Sequence, residues 1–209
     1  MSAAVDTLHS ADYTEVRHVV RSGVQLGILQ SVLVGLFALV SRWLSGPGEL
    51  VGEAFLLVIG VAITVTLPGL RTNARTIEGI AGAAGIGLMA TATFLVVDVV
   101  LFQPLGLYTS RWLAIGGGSN WWYHPVWFMI GTYMAWMGAW ALANQAARPS
   151  GVSPAEVVGG TIVLAVLWMV GAVLLKVPGA TWGVGTFAVA ILPAQALLVM
   201  VTWLGARRR

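Results

Sequence analysis

Along the 209-residue chain, polar and charged residues fall in short clusters, and between the clusters lie long apolar runs. Six such runs stand out, at roughly 22–44, 50–70, 77–104, 121–145, 154–176 and 181–204. Each reaches or approaches the about 20 residues that an α-helix needs to cross a bilayer. The breaks between them are turn-forming and polar: SGPGE at 45–49, PGLRTNAR at 68–75, ARPSGVSP at 147–154 and VPGA at 177–180. The pattern predicts an all-α integral membrane protein with six transmembrane helices.

Composition points the same way. Hydrophobic residues make up 58% of the chain and charged residues 9%, whereas a soluble domain carries about 25% charged residues. Residues 1–21 carry acidic groups and no cleavage pattern, so they read as a cytoplasmic N-terminal arm rather than a signal peptide. Val5, Leu8, Val16, Val19 and Val20 could give that arm an amphipathic face. Residues 22–204 form the membrane domain, and 205–209 a basic tail.

Orientation follows from the arginines. With the N-terminus inside, the inner segments hold Arg17, Arg21, Arg71, Arg75, Arg148 and Arg207 to Arg209; the outer ones hold Arg42, Arg111 and Lys176. This is a positive-inside bias, and it puts both termini in the cytoplasm. Arginine-rich, lysine-poor usage with abundant Ala, Val and Gly suggests a GC-rich bacterial genome, and the expected location is then a bacterial inner membrane. A net charge of +3, dispersed in this way, gives no nucleic-acid surface.

Small residues four apart mark helix contacts in a bilayer, where close backbone approach replaces hydrophobic association. Gly23, Gly27, Ser31 and Gly35 form one ladder, and Gly131, Ala135 and Ala139 another. They could face sister helices, other membrane subunits or a second copy of the chain. Pro193, deep in the last span, should kink it, and Gln195 is placed to partner a freed carbonyl.

Ionisable residues in such spans are costly and are candidates for function. Asp98 in FLVVDVVLF is the clearest; it lies about 30 Å along the helix from Glu78, near the outer edge of the hydrocarbon. Gln103, Arg42, Lys176 and His124 belong to the same level, so Asp98 could pair with His124, Arg42 or Lys176. The stretch SNWWYHPVWF, 119–128, adds Trp121, Trp122, Tyr123, Trp127 and Phe128 beside His124. His124, Phe128, Thr132, Trp136 and Trp140 recur every fourth residue and could flank a flat, apolar ligand. The same aromatics equally suit an interfacial collar.

The absence of cysteine removes disulfides, thiolate metal sites and thiol catalysis. No HExxH, GxSxG, Walker A or GxGxxG motif occurs, and no metal site is expected. No cofactor is expected either, although His124 could ligate a haem or a chlorophyll-type pigment. These residues favour a non-enzymatic small transporter or ligand-binding component for a neutral, aromatic or amphipathic solute. The expected ligand contacts are Asp98, Trp121, Trp122, Tyr123, His124, Trp127, Phe128 and Trp136, with Pro193 and Gln195 as the moving part. One alternative is an accessory subunit of a respiratory or photosynthetic complex, contacting quinone, lipid, haem or pigment near His124. Another is a lipid-acting enzyme with Asp98 and His124 as acid and base.

Overall fold

The computed structural model of the protein describes residues 15–108, 123–147 and 151–207. Among these residues six α-helices follow one another: α1 (Val16–Trp43), α2 (Pro47–Arg71), α3 (Ile77–Val97), α4 (Tyr123–Ala146), α5 (Pro154–Leu174) and α6 (Val184–Arg207). No strand occurs among the described residues. Among these residues, α1, α2, α3 with its extension to Phe102, α5, and α6 over Gly185–Ala206 are each long and apolar enough to cross a membrane. The chain is therefore a multi-pass membrane protein.

Local chemistry sets the helix starts. Gly46 takes φ 67° and Pro47 opens α2, where its missing N–H is no loss. The Thr76 hydroxyl accepts the Gly79 N–H at 3.1 Å to cap α3, and the Ser153 hydroxyl accepts the Glu156 N–H at 3.3 Å to cap α5. The first helix begins at Val16, earlier than the apolar run at 22 suggests, so Arg17 and Arg21 belong to α1. Hydropathy marks where lipid begins, and a helix can run past that point into the interface. For the same reason α6 continues to Arg207, into the expected tail. Val5 and Leu8 of the expected amphipathic arm lie outside the described residues.

The bundle is built on close backbone approach. A Cβ added at Gly23 would sit 2.7 Å from Met89 Cγ, and one at Gly27 would sit 2.5 Å from the Ala90 carbonyl oxygen. Gly35 lies under Phe102, and the Ser31 hydroxyl donates to the Gly27 carbonyl at 2.8 Å. This register runs α1 parallel to α3. On α4, Gly131 faces Thr91 and Ala135 faces Gly87, which makes α3 and α4 antiparallel. Gly69 meets Ala139, and Gly138 meets the backbone of Val65, so α2 and α4 run parallel. Both small-residue ladders thus contact sister helices of the same chain.

Hydrogen bonds tie the remaining pairs. Tyr133 donates from its hydroxyl to the Leu192 carbonyl at 2.9 Å, and Asn144 Nδ2 donates to the Val199 carbonyl at 3.2 Å, joining α4 to α6. Gln30 Nε2 donates to Thr64 Oγ1 at 3.0 Å, and Arg71 Nη1 donates to the Ser22 carbonyl at 3.1 Å, joining α1 to α2. The α4 helix is central, sharing a buried core of Val65, Met134, Leu142, Val157 and Ile191 with α2, α5 and α6.

Candidate functional site

At Val97 the α-helical ladder of α3 gives way to one wide π-helical turn, Asp98–Phe102, closed by the Gln103 N–H donating to the Asp98 carbonyl at 2.9 Å. Single turns of this kind re-aim side chains and recur at functional positions. Gly106, at φ 59°, then lets the chain fold back, and Arg42 Nη1 on α1 donates to its carbonyl at 3.1 Å. The returning segment delivers two donors to Asp98. Gln103 Nε2 bonds one carboxylate oxygen at 2.7 Å, and the Tyr108 hydroxyl bonds the other.

Asp98 is fully buried, and its partner Tyr108 belongs to an apolar cluster. Phe94, Leu95 and Phe102 form the floor, with Val34, Val97, Leu107, Tyr108, Trp127 and Phe128 packed around them. Trp127 lies 5.0 Å from Phe94 between ring centroids, and Tyr108 meets Phe102 edge-on at 6.3 Å. A carboxylate here needs partners, because burying it without them is costly. Both of its oxygens are bonded by neutral donors from the same strap.

Of the expected partners, Arg42 bonds the Gly106 carbonyl instead, and Lys176 makes no bond to Asp98. The side chain of His124 lies outside the described residues, as does that of Tyr123, although both residues begin α4. Trp121 and Trp122 lie wholly outside them. The structure therefore packs Trp127 and Phe128 into the Phe94–Phe102 cluster, to which Asp98 is tied through Tyr108. Trp136 and Trp140 go elsewhere: they are exposed on the bundle surface, with ring centroids 5.9 Å apart. A four-residue spacing drifts by about 40° per step on a helix of 3.6 residues per turn, which carries the stripe from that cluster to the surface.

The second feature is a groove between α5 and α6, of about 1020 Å³. These helices diverge along their length. Val157, Thr161 and Ala165 of α5 are each 0% exposed, and a Cβ at Gly160 would meet Leu198 at 2.9 Å. Toward the other end Leu167, Leu174 and Leu175 are 60%, 70% and 81% exposed. The groove is thus a wedge, closed near Gly160 and open toward the turn after α5. Its walls include Trp168 and Gly171 of α5, the Val177–Thr181 turn, and Thr186, Val189 and Pro193 of α6. Among the described residues, none that lines the groove is ionisable.

Pro193 faces this groove, while Gln195 is turned the other way. The latter is buried against α4 and donates from Nε2 to the Met134 carbonyl at 3.4 Å, so its partner is a neighbouring helix rather than a carbonyl freed by Pro193. Its Oε1 has no hydrogen-bond partner among the described residues. The proline withholds the N–H that would normally bond the Val189 carbonyl, and Val189 itself lines the groove. Sequence reasoning missed the α5 wall and the 177–181 turn. The available signal was the recurrence of glycine at Gly171, Gly179, Gly183 and Gly185, which leaves volume where two helices part.

No family model, curated protein or solved structure matches this chain.

Proposed function

We propose that the protein is a non-enzymatic ligand-binding or transport component of a bacterial inner membrane, spanning it six times with both termini cytoplasmic. Its ligand is a neutral-bodied aromatic or amphipathic molecule, and the α5–α6 groove seats the apolar part. The supporting observation is the groove itself. It has the size and apolar lining of a small-molecule site, a helix-interrupting proline in one wall, and no charge that would demand an ionic body. The Asp98 nest serves as a lock on the end of α3, since its carboxylate is occupied by Gln103 and Tyr108.

Gly171 and Gly185 have open space at the position of an added Cβ, so Gly171→Leu and Gly185→Leu should fill the groove without disturbing the fold. Purified protein is titrated with neutral aromatic and amphipathic compounds while its melting temperature is followed. Ligand at a hundred times its Kd should stabilise the native form by about 2.7 kcal/mol, and both variants should lose that response. A ligand that stabilises wild type and variants equally would remove the groove from consideration.

Topology is testable directly, because the chain has no native cysteine. Gly48→Cys and Pro178→Cys should react with an impermeant maleimide on intact cells. Arg75→Cys and Ala147→Cys should react only after permeabilisation, and the opposite labelling would invert the orientation.

An accessory-subunit reading draws on α5, whose apolar window is only 17% buried inside the fold. A stable, ligand-responsive monomer in mild detergent would count against it; co-purification with larger membrane partners would favour it.

A further inference from the structure

We infer that the α5–α6 groove holds an acyl chain of an anionic membrane lipid, with the lipid head group held at Lys176. This rests on the groove being the binding site proposed above, and it specifies the ligand's polar end.

Lys176 is the chain's only lysine. It ends α5 in a left-handed conformation, φ 54°, with its N–H donating to the Val173 carbonyl at 3.1 Å and the Val177 N–H donating to the Ala172 carbonyl at 2.9 Å. This is the helix-ending arrangement in which glycine is the usual occupant, because a Cβ is crowded there. A long cationic side chain is present where packing would favour none. Strain of this type is a pointer to function.

Position supplies the second argument. The residues on either side of Lys176, Leu175 and Val177, both line the groove. Lys176 is exposed, and no hydrogen bond or ion pair of its ammonium occurs among the described residues. The groove walls carry no charge of their own. The site therefore combines a long apolar wedge with one cation, unpaired among the described residues, beside its open end, which is complementary to a molecule with an apolar tail and an anionic head.

The opening favours lipid over a soluble amphiphile. Leu167 and Val189, which line the groove, are strongly exposed on helices that are apolar enough to cross the membrane. The wedge thus opens sideways into the bilayer, where acyl chains are the surrounding solvent. Lys176 lies at a helix end, where a lysine ammonium meets the head-group layer. Trp182, also exposed, is suited to the same interface. A zwitterionic head group brings its own cation and gains less from Lys176.

The test uses the full-length protein in nanodiscs containing equal amounts of phosphatidylglycerol and phosphatidylcholine with identical chains. Native mass spectrometry after gentle release reads which lipid stays bound. Wild type should retain phosphatidylglycerol preferentially. Lys176→Gln should lower that preference about fivefold, the value of roughly one lysine near an anionic head group, while total bound lipid is unchanged. Lys176→Arg should restore the preference. Gly171→Leu and Gly185→Leu should release both lipids, with helicity by circular dichroism unchanged.

The two readings fail differently. An unchanged preference in Lys176→Gln overturns the head-group assignment and leaves the groove as a site for apolar ligands. Full lipid retention in both groove-filling variants overturns the groove itself. A wild-type dimer carrying no lipid, dissociated by Gly171→Leu, overturns the lipid assignment in favour of a second copy as the occupant.

Discussion

At Gly138 the backbones of α2 and α4 come closest to leaving no room for a side chain. A Cβ added there would lie 2.8 Å from both the carbonyl carbon and Cγ1 of Val65, and closer still to the Val65 carbonyl oxygen. Carbon atoms in good contact stay about 3.5–4.0 Å apart, so the carbon contacts alone ask α2 and α4 to separate by about 0.7–1.2 Å in Gly138→Ala, and the nearer oxygen asks for more. The obstacle is main chain, which cannot rotate out of the way as a side chain can. Overpacking of this kind costs typically about 1–3 kcal/mol, and a backbone obstacle puts it at the upper end. Alanine's better helix propensity returns up to about 1 kcal/mol, leaving a net loss of about 1–2 kcal/mol. The matched control is Gly60→Ala on α2, where an added Cβ meets nothing within 4 Å. Followed by far-ultraviolet circular dichroism in one detergent at one scan rate, Gly138→Ala should melt about 2–8 °C below wild type, at about 2–4 °C per kcal/mol for a chain of this size. Gly60→Ala should melt at or slightly above wild type. Equal melting of Gly138→Ala and wild type would refute the argument, as would equal losses in the two variants.

Tyr108→Phe removes one of the two donors to the buried Asp98 carboxylate and should destabilise the protein by about 1–3 kcal/mol; in a double-mutant cycle with Asp98→Ala, additive losses would contradict direct coupling. Gln195→Leu removes a buried acceptor that lacks a partner among the described residues, together with a long 3.4 Å bond. Such bonds inside membranes average about 0.6 kcal/mol, so thermal melts should show this variant within about 1 kcal/mol of wild type, and a collapse in stability would reveal a partner for that oxygen. Lys176→Gly relieves a left-handed residue and should raise stability by about 1 kcal/mol while abolishing the anionic-lipid preference in nanodiscs; loss of stability would mean that the lysine is held by contacts of its own.

What the residue pattern discloses here follows from what kind of constraint each feature obeys. Apolar run length is dictated by the bilayer, so the runs translate into helices with shifted ends, five of them long and apolar enough to cross a membrane among the described residues. The ladder Gly23, Gly27, Ser31 was legible because parallel backbone contact with α3 demands small residues every turn. Gly69 and Gly138 were not singled out, because α4 has two small-residue faces, one toward Gly87 and one toward Val65, and four-residue spacing picks out only one at a time. Asp98 was conspicuous by its charge, but its partner Tyr108 depends on a π-helical turn and on Gly106 folding the chain back, neither of which has a period to detect. The groove leaves the faintest trace. It is a void produced by the divergence of two helices, and sequence records the residues around a void rather than the void.

That divergence has a mechanical basis in the unequal ends of α5. At its start, the buried amide of Gln145 is satisfied in both directions, accepting the Ser153 N–H at 2.9 Å and donating to Glu156 Oε2 at 3.3 Å. Just beyond, Gly160 seats against Leu198 and Thr161 returns its hydroxyl to the Val157 carbonyl at 2.8 Å. The α6 helix is fixed to α4 over the same stretch by Asn144, and farther along by Tyr133 and Gln195. The far half of α5 has neither close backbone contact nor buried polar anchors of this sort among the described residues: Gly171 has open space beside it, and Leu174 is exposed. These anchors predict that, if the groove widens or narrows, α5 pivots near Gly160 while α4 restrains α6. Gly160 is then the position where a bulkier residue should alter occupancy of the groove without touching its walls. Gly160→Val would push against Leu198, spread the closed end and weaken ligand-dependent stabilisation, whereas Gly159→Val, beside nothing within 4 Å, should leave it intact; equal responses from the two variants would rule out the pivot.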